Sequence, residues 1–176
     1  RILDPQSKRK SVQSQGDLFG DFDLASHSVY RALDTFSLLS EEIQLQMHQA
    51  ITKDVGRTGA LVFYDVTNYY FETDLDDESV EVKGEILPAF RKRGPSKEKR
   101  PNPIIQMGLF MDTNGIPIAY RLFPGNCVDV KTYLPAVEQI KKQFGIERIV
   151  VVADKGMNSK NNITETLQNK DGYLFS

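Results

Sequence analysis

The stretch Leu61-Val62-Phe63-Tyr64-Asp65-Val66-Thr67 decides how this chain is read. It alternates at strand period, with Phe63, Asp65 and Thr67 on one face and Val62, Tyr64 and Val66 on the other. Both faces are largely apolar ahead of Asp65, the pattern of a central strand over about 60–71. A second apolar, β-branched run, Ile149-Val150-Val151-Val152-Ala153-Asp154, also ends on a carboxylate. An ionised carboxylate within such a strand loses hydration and must recover it from hydrogen bonds, a partner cation or a metal. Either acid alone also reads as a structural acid, and Lys155 is a ready partner for Asp154. Two such acids together point to a metal site, with Asp65 and Asp154 as candidate ligands.

Outward from these runs the elements alternate. Residues 105–111 and 116–123 read as a hairpin joined by Asp112-Thr113-Asn114-Gly115, whose Asn-Gly supplies the positive φ of a tight turn. A helix over about 131–144 carries Leu134, Val137 and Ile140 along one side and ends at Gly145 as its C′ glycine. The strand bearing Asp154 follows, then a helix over about 159–169, then Tyr173-Leu174-Phe175 as the start of a fifth strand. Before Asp65, residues 1–22 are polar and aperiodic, a linker or disordered lead-in. Residues 23–58 form a helical segment, with Val29, Leu33 and Phe36 on one helix face. A second helix, N-capped by Ser40, repeats Ile43, Met47, Ala50 and Ile51 as its docking face.

Between the first strand and the hairpin the charge separates sharply. Residues 72–85 carry seven acids against Lys83, and residues 91–100 carry six bases against Glu98. Gly94-Pro95 and Pro101-Asn102-Pro103 punctuate this segment as loop, so about 73–103 reads as a mobile charged insertion. Arg91, Lys92, Arg93, Lys97, Lys99 and Arg100 are candidate DNA-phosphate contacts. The same bases also read as a solvated loop that balances the acids before it. Tyr69, Tyr70 and Phe71 read as core in preference to base-stacking groups. His27 and His48 lack partners at ligand spacing, Cys127 has no neighbouring base, and Asp112 and Asp129 read as turn and helix-start residues.

Composition bounds these readings. The chain has 176 residues, 40% apolar and 26% charged, which is enough for one core with appended helices. A net charge of −2 excludes global basic character, so contact with nucleic acid must be local. The single Cys127 excludes an intrachain disulfide and suits a cytoplasmic setting. No apolar run approaches the roughly 20 residues of a membrane span, and no signal peptide is visible. The chain begins at Arg1 and stops within a strand, so it reads as a fragment.

The element order β, β-hairpin, α, β, α, β is that of the ribonuclease H-like fold, a mixed sheet flanked by helices, here truncated at the fifth strand. In that fold the first and fourth strands lie side by side, about 4.8 Å apart, which would bring Asp65 next to Asp154. Hard oxygen ligands with open positions suit Mg²⁺ or Mn²⁺ and phosphodiester chemistry.

Three stretches carry a resemblance: LVFYDVTNYYFE at 61–72, SKEKRPNPIIQMGLFMDTNGIPIAYRLFPGN at 96–126 and VVADKGMNSKNNI at 151–163. They resemble the Asp-Asp-Glu transposases of bacterial insertion sequences, in the branch with a Tyr-Arg-Glu-Lys signature. The resemblance covers about 25–176 and implies that Asp65 and Asp154 are the first and second catalytic acids. It further implies Mg²⁺ or Mn²⁺ as cofactor, transposon-end and target DNA as partners, and a homodimer in the intact protein. The family's catalytic Glu, in a Tyr-x2-Arg-x3-Glu run, has no counterpart here, and Glu165 precedes the fifth strand, where the fold points it elsewhere. The fragment alone is therefore expected to be inactive. The alternatives are another ribonuclease H-like nuclease or resolvase, or a non-catalytic DNA-binding remnant.

Overall fold

The computed structural model describes the chain except residues 1–5, 18–19, 21–22, 58–60, 83 and 96–100. It divides into two compact units, residues 1–43 and 44–176. No helix among the described residues is long and apolar enough to cross a membrane.

In the first unit, α1 (Lys8–Gln13) forms where the sequence shows no period, because Ser7 caps it by accepting from the Lys10 amide. The Gln15 side chain accepts from Leu24 N at 2.7 Å and so folds the lead-in back before α2 (Ser26–Leu38). The helix α3 (Ser40–Val55) follows after Leu39.

The second unit is built on a five-stranded mixed sheet. Its strands β1 (Leu61–Tyr70), β4 (Ile104–Met111), β5 (Pro117–Pro124), β6 (Val150–Ala153) and β7 (Gly172–Phe175) lie in the order β5-β4-β1-β6-β7. The first three in sequence pair antiparallel, while β6 and β7 run parallel to β1. This is the ribonuclease H-like order expected from the sequence. A separate hairpin, β2 (Val80–Val82) with β3 (Glu85–Leu87), lies within the charged insertion.

One face of the sheet holds the core. Val62, Tyr64 and Val66 of β1 pack with Phe110, Ile118 and Phe123 under α4 (Tyr133–Phe144), whose Tyr133, Ala136, Val137 and Ile140 complete the cluster. The helix α5 (Lys160–Gln168) starts where Ser159 accepts from Asn162 N, and Thr166 meets the Tyr133 hydroxyl at 3.3 Å. Tyr64 donates to Thr132 Oγ1 at 2.8 Å, and its ring lies so close over Gly108 that a Cβ there would collide with it. A Gly108→Ala change therefore overpacks the core.

Three local expectations are corrected. Between β4 and β5 only Gly115 takes a positive φ, of 75°, so Asn114 plays another part. The turn is organised instead by Asp112, whose Oδ1 accepts from Asn114 N and Ile116 N, each at 2.9 Å. Along α3 the expected docking face holds only in part: Ile43 and Ile51 are half-buried, Met47 and Ala50 are exposed, and Gln44 is buried, its Oε1 accepting from Tyr120 N at 2.7 Å. One turn on, His48 stacks on Phe144, with ring centroids 4.3 Å apart. Gln44 is favoured there because the surface it meets is an edge strand with a backbone donor to satisfy. Tyr69 and Tyr70, expected in the core, are 49% and 40% exposed at the end of β1.

Candidate active site

The parallel pairing of β1 with β6 sets the candidate site. Leu61 aligns with Val150, Val62 with Val151, Phe63 with Val152 and Tyr64 with Ala153. The register ends one residue before each acid, so Asp65 lies in the middle of β1 and Asp154 directly follows the last residue of the adjacent parallel strand β6. Strand alternation puts Asp65 on the face of Leu61, Phe63 and Thr67, and Asp154 on the face of Val150 and Val152. These are one face, opposite α4.

That face is open. Asp65 and Asp154 are both exposed, and Leu61 and Phe63 are 37% and 39% exposed. The desolvation expected of two buried carboxylates is thus absent, because only the other face of the sheet is covered among the described residues. Asp154 caps the short 3₁₀ turn Lys155–Met157, its Oδ1 accepting from Gly156 N at 2.6 Å. Among the described residues Lys155 makes no ion pair with Asp154, and the Asp65 carboxylate has no hydrogen-bond or ion-pair partner. Two carboxylates on neighbouring strands repel in the absence of a cation.

Hard-oxygen donors on a solvent-facing edge suit Mg²⁺ or Mn²⁺, and in that respect the two residues fit a divalent ion. No group of three His, Cys, Asp or Glu side chains able to hold a metal occurs among the described residues. Asp171 is buried on the helix-covered side, accepting from Lys141 Nζ at 2.7 Å and from Ile149 N at 3.0 Å. Glu165 lines a groove between α4 and α5 together with Lys141 and Asp171, away from the acid pair.

The candidate DNA contacts divide. Arg91, Lys92 and Arg93 are engaged by Asp77, Asp76 and Asp74, respectively. Lys97, Lys99 and Arg100 lie outside the described residues. Cys127 is half-buried, and burial pushes its thiol up, against a nucleophilic role.

Sequence reasoning missed Arg57. Its Nε donates to Asp112 Oδ2 at 2.9 Å, Nη2 donates to Pro117 O at 3.0 Å, and Nη1 lies 3.2 Å from His48 Nδ1. Nothing in the sequence links an Arg after one helix with a turn acid 55 positions on. Gln106, wholly buried on β4 opposite Asn68, was also passed over; its amide nitrogen and oxygen have no partner among the described residues.

Such a sheet, with one acid inside its central strand and another just past the end of the parallel neighbour, has the ribonuclease H-like strand order. The family model described as transposase DDE domain matches residues 72–175, and the chain belongs to that family. The match includes Asp154 and begins after Asp65. Among solved structures, the chain is similar to the Mos1 transposase paired-end complex with left transposon end, at 12% identity and a TM-score of 0.42, covering 94% of this chain and 48% of that one. It is also similar to the catalytic domain of Mos1 mariner transposase, at 11% identity and a TM-score of 0.38, covering 89% of this chain and 64% of that one. The chain thus spans about half to two-thirds of the length of these structures. No curated protein matches it in sequence.

Proposed function

We propose that this chain is part of the catalytic core of a cut-and-paste transposase of the insertion-sequence branch with the Tyr-Arg-Glu-Lys signature. Its intact form would cleave transposon ends and join them to target DNA as a cytoplasmic homodimer. The observation that supports this reading is the β1–β6 register, which pairs Tyr64 with Ala153, the residues directly before Asp65 and Asp154.

In this reading Asp65 and Asp154 hold Mg²⁺ or Mn²⁺. A divalent ion there supplies charge neutralisation and Lewis acidity toward a phosphodiester. Gly156 N fixes Asp154 by one carboxylate oxygen, Oδ1, at 2.6 Å. The open face admits a DNA strand, and Arg91, Lys92 and Arg93, with Lys97, Lys99 and Arg100, contact phosphates. Two carboxylates leave the ligand set incomplete, so this chain alone binds metal weakly and does not process DNA.

The test is Mn²⁺ titration followed by electron paramagnetic resonance, beside nicking of transposon-end DNA. Weak binding that is lost in Asp65→Asn and in Asp154→Asn is expected, with no nicking. Binding that survives both substitutions refutes the assignment.

A further inference from the structure

The acidic and basic runs of the insertion are not independent surfaces, because one is laid along the other residue by residue. Arg91 Nη2 lies 2.7 Å from Asp77 Oδ1, and the Arg91 amide donates to Asp77 Oδ2 at 3.0 Å. Lys92 Nζ donates to the Asp77 carbonyl at 2.8 Å and lies 4.0 Å from Asp76 Oδ2. The Arg93 amide donates to Asp76 Oδ1 at 3.2 Å, and its Nη2 donates to the Asp74 carbonyl at 3.0 Å and lies 3.6 Å from Asp74 Oδ1.

The two sides of this clamp are held differently. The basic strap belongs to the sheet: Lys92 exchanges both backbone hydrogen bonds with Ile104, and Phe90 O accepts from Gly125 N at 2.9 Å. The strap runs so close that a Cβ on Gly125 would collide with the carbonyls of Ile104 and Lys92. Among the described residues the one backbone-to-backbone tie of the acidic side to the strap is at Asp77, whose amide donates to Arg91 O at 2.8 Å. Asp74 and Asp76 beyond it are exposed, and Asp74 is 84% exposed where it meets Arg93. Exposed pairs of this kind add little to stability and are screened by salt. Asp77 suffices for the structural tie, so Asp74 and Asp76 are left with another role.

We propose that Asp74 and Asp76 are an intramolecular phosphate mimic, which occupies Lys92 and Arg93 until duplex DNA displaces it. The inference rests on the DNA reading above and adds a closed state to it. The backbone bond from the Asp77 amide to Arg91 O stays as the hinge, while the carboxylates of residues 74 and 76 yield their positions to two phosphates of a backbone whose charges are closely spaced.

Anisotropy titrations of a labelled duplex over a range of NaCl test this. Asp74→Asn/Asp76→Asn keeps acceptor oxygens for the Arg93 amide and the Asp77 anchor, and circular dichroism with amide exchange at Lys92 checks the fold. It should bind roughly three- to tenfold tighter at low salt, with a salt slope steeper by about one to two phosphate contacts. Glu78→Gln/Glu81→Gln makes the same charge change at acids of the same run that have no ion pair among the described residues, and should leave the slope unchanged. Adding Lys92→Ala/Arg93→Ala to the first variant should abolish its gain.

Equal effects of the two acid variants, or no gain in either, overturn the clamp. If Lys92→Ala/Arg93→Ala still weakens binding in the parent, the DNA reading of the strap survives that failure. If it changes binding in neither background, the DNA reading of the strap falls as well.

Discussion

Arg57 Nε meets Asp112 Oδ2 at 2.9 Å with both side chains almost wholly removed from solvent, which ties the segment after α3 to the turn between β4 and β5. Removing one partner strands the other charge in the interior. Arg57→Met should therefore cost about 3–5 kcal/mol in urea unfolding. Burial alone would raise the Asp112 carboxyl, but the Ile116 amide, Arg57 and the Asn114 amide hold it below its ordinary 3.8. Its contribution is present above that value and is lost as pH falls through the folded-state value. A variant as stable as the parent at pH 7 would contradict this account.

His48 gives a second pH dependence, at higher pH. Burial and the neighbouring Arg57 guanidinium lower it from its ordinary 6.5, so the folded protein favours the neutral ring. Stability is full above pH 6.5 and falls as the pH drops from there to the folded-state value, because the unfolded chain takes up the proton first. Urea midpoints measured between pH 7.5 and 5 should decline more in the parent than in His48→Gln. Parallel curves for the two proteins would remove His48 from the explanation.

Gln106 offers a change expected to stabilise. Its amide is buried without protein partners among the described residues, so it bears a desolvation penalty with little return. Gln106→Leu should raise stability by about 1 kcal/mol in thermal or urea unfolding. A loss of that size would show that the amide is bonded in solution.

The acid pair should separate function from stability. Asp65 is exposed, so Asp65→Asn should alter unfolding by less than about 0.5 kcal/mol while abolishing Mn²⁺ binding. Asp154→Ala should also cost about 1 kcal/mol, because the 3₁₀ turn loses its cap. Calorimetry of both variants, with and without Mn²⁺, distinguishes the two effects.

Much of the scaffold was legible in the sequence because it rests on local patterns. The alternation through Val62, Tyr64 and Val66 and the C′ glycine at Gly145, with φ of 66°, each act within a few residues. The adjacency of the strands that carry Asp65 and precede Asp154 followed from element order. Their exposure did not, since periodicity identifies an apolar face without saying what covers it. Arg57 with Asp112, Gln44 with Tyr120 N, and the strap of Lys92 on Ile104 were also illegible. Each joins polar groups far apart in sequence whose pairing is decided only once the sheet has formed.

The Gln44 contact makes the sheet grow in one direction. By accepting from Tyr120 N, its side chain blocks the outer edge of β5 to another chain. At the opposite border, β7 pairs with β6 alone among the described residues, so its far backbone groups can template a further strand. Strand exchange between copies, or a β-hairpin grafted to this domain, should therefore extend the sheet beyond β7 and leave the β5 border single.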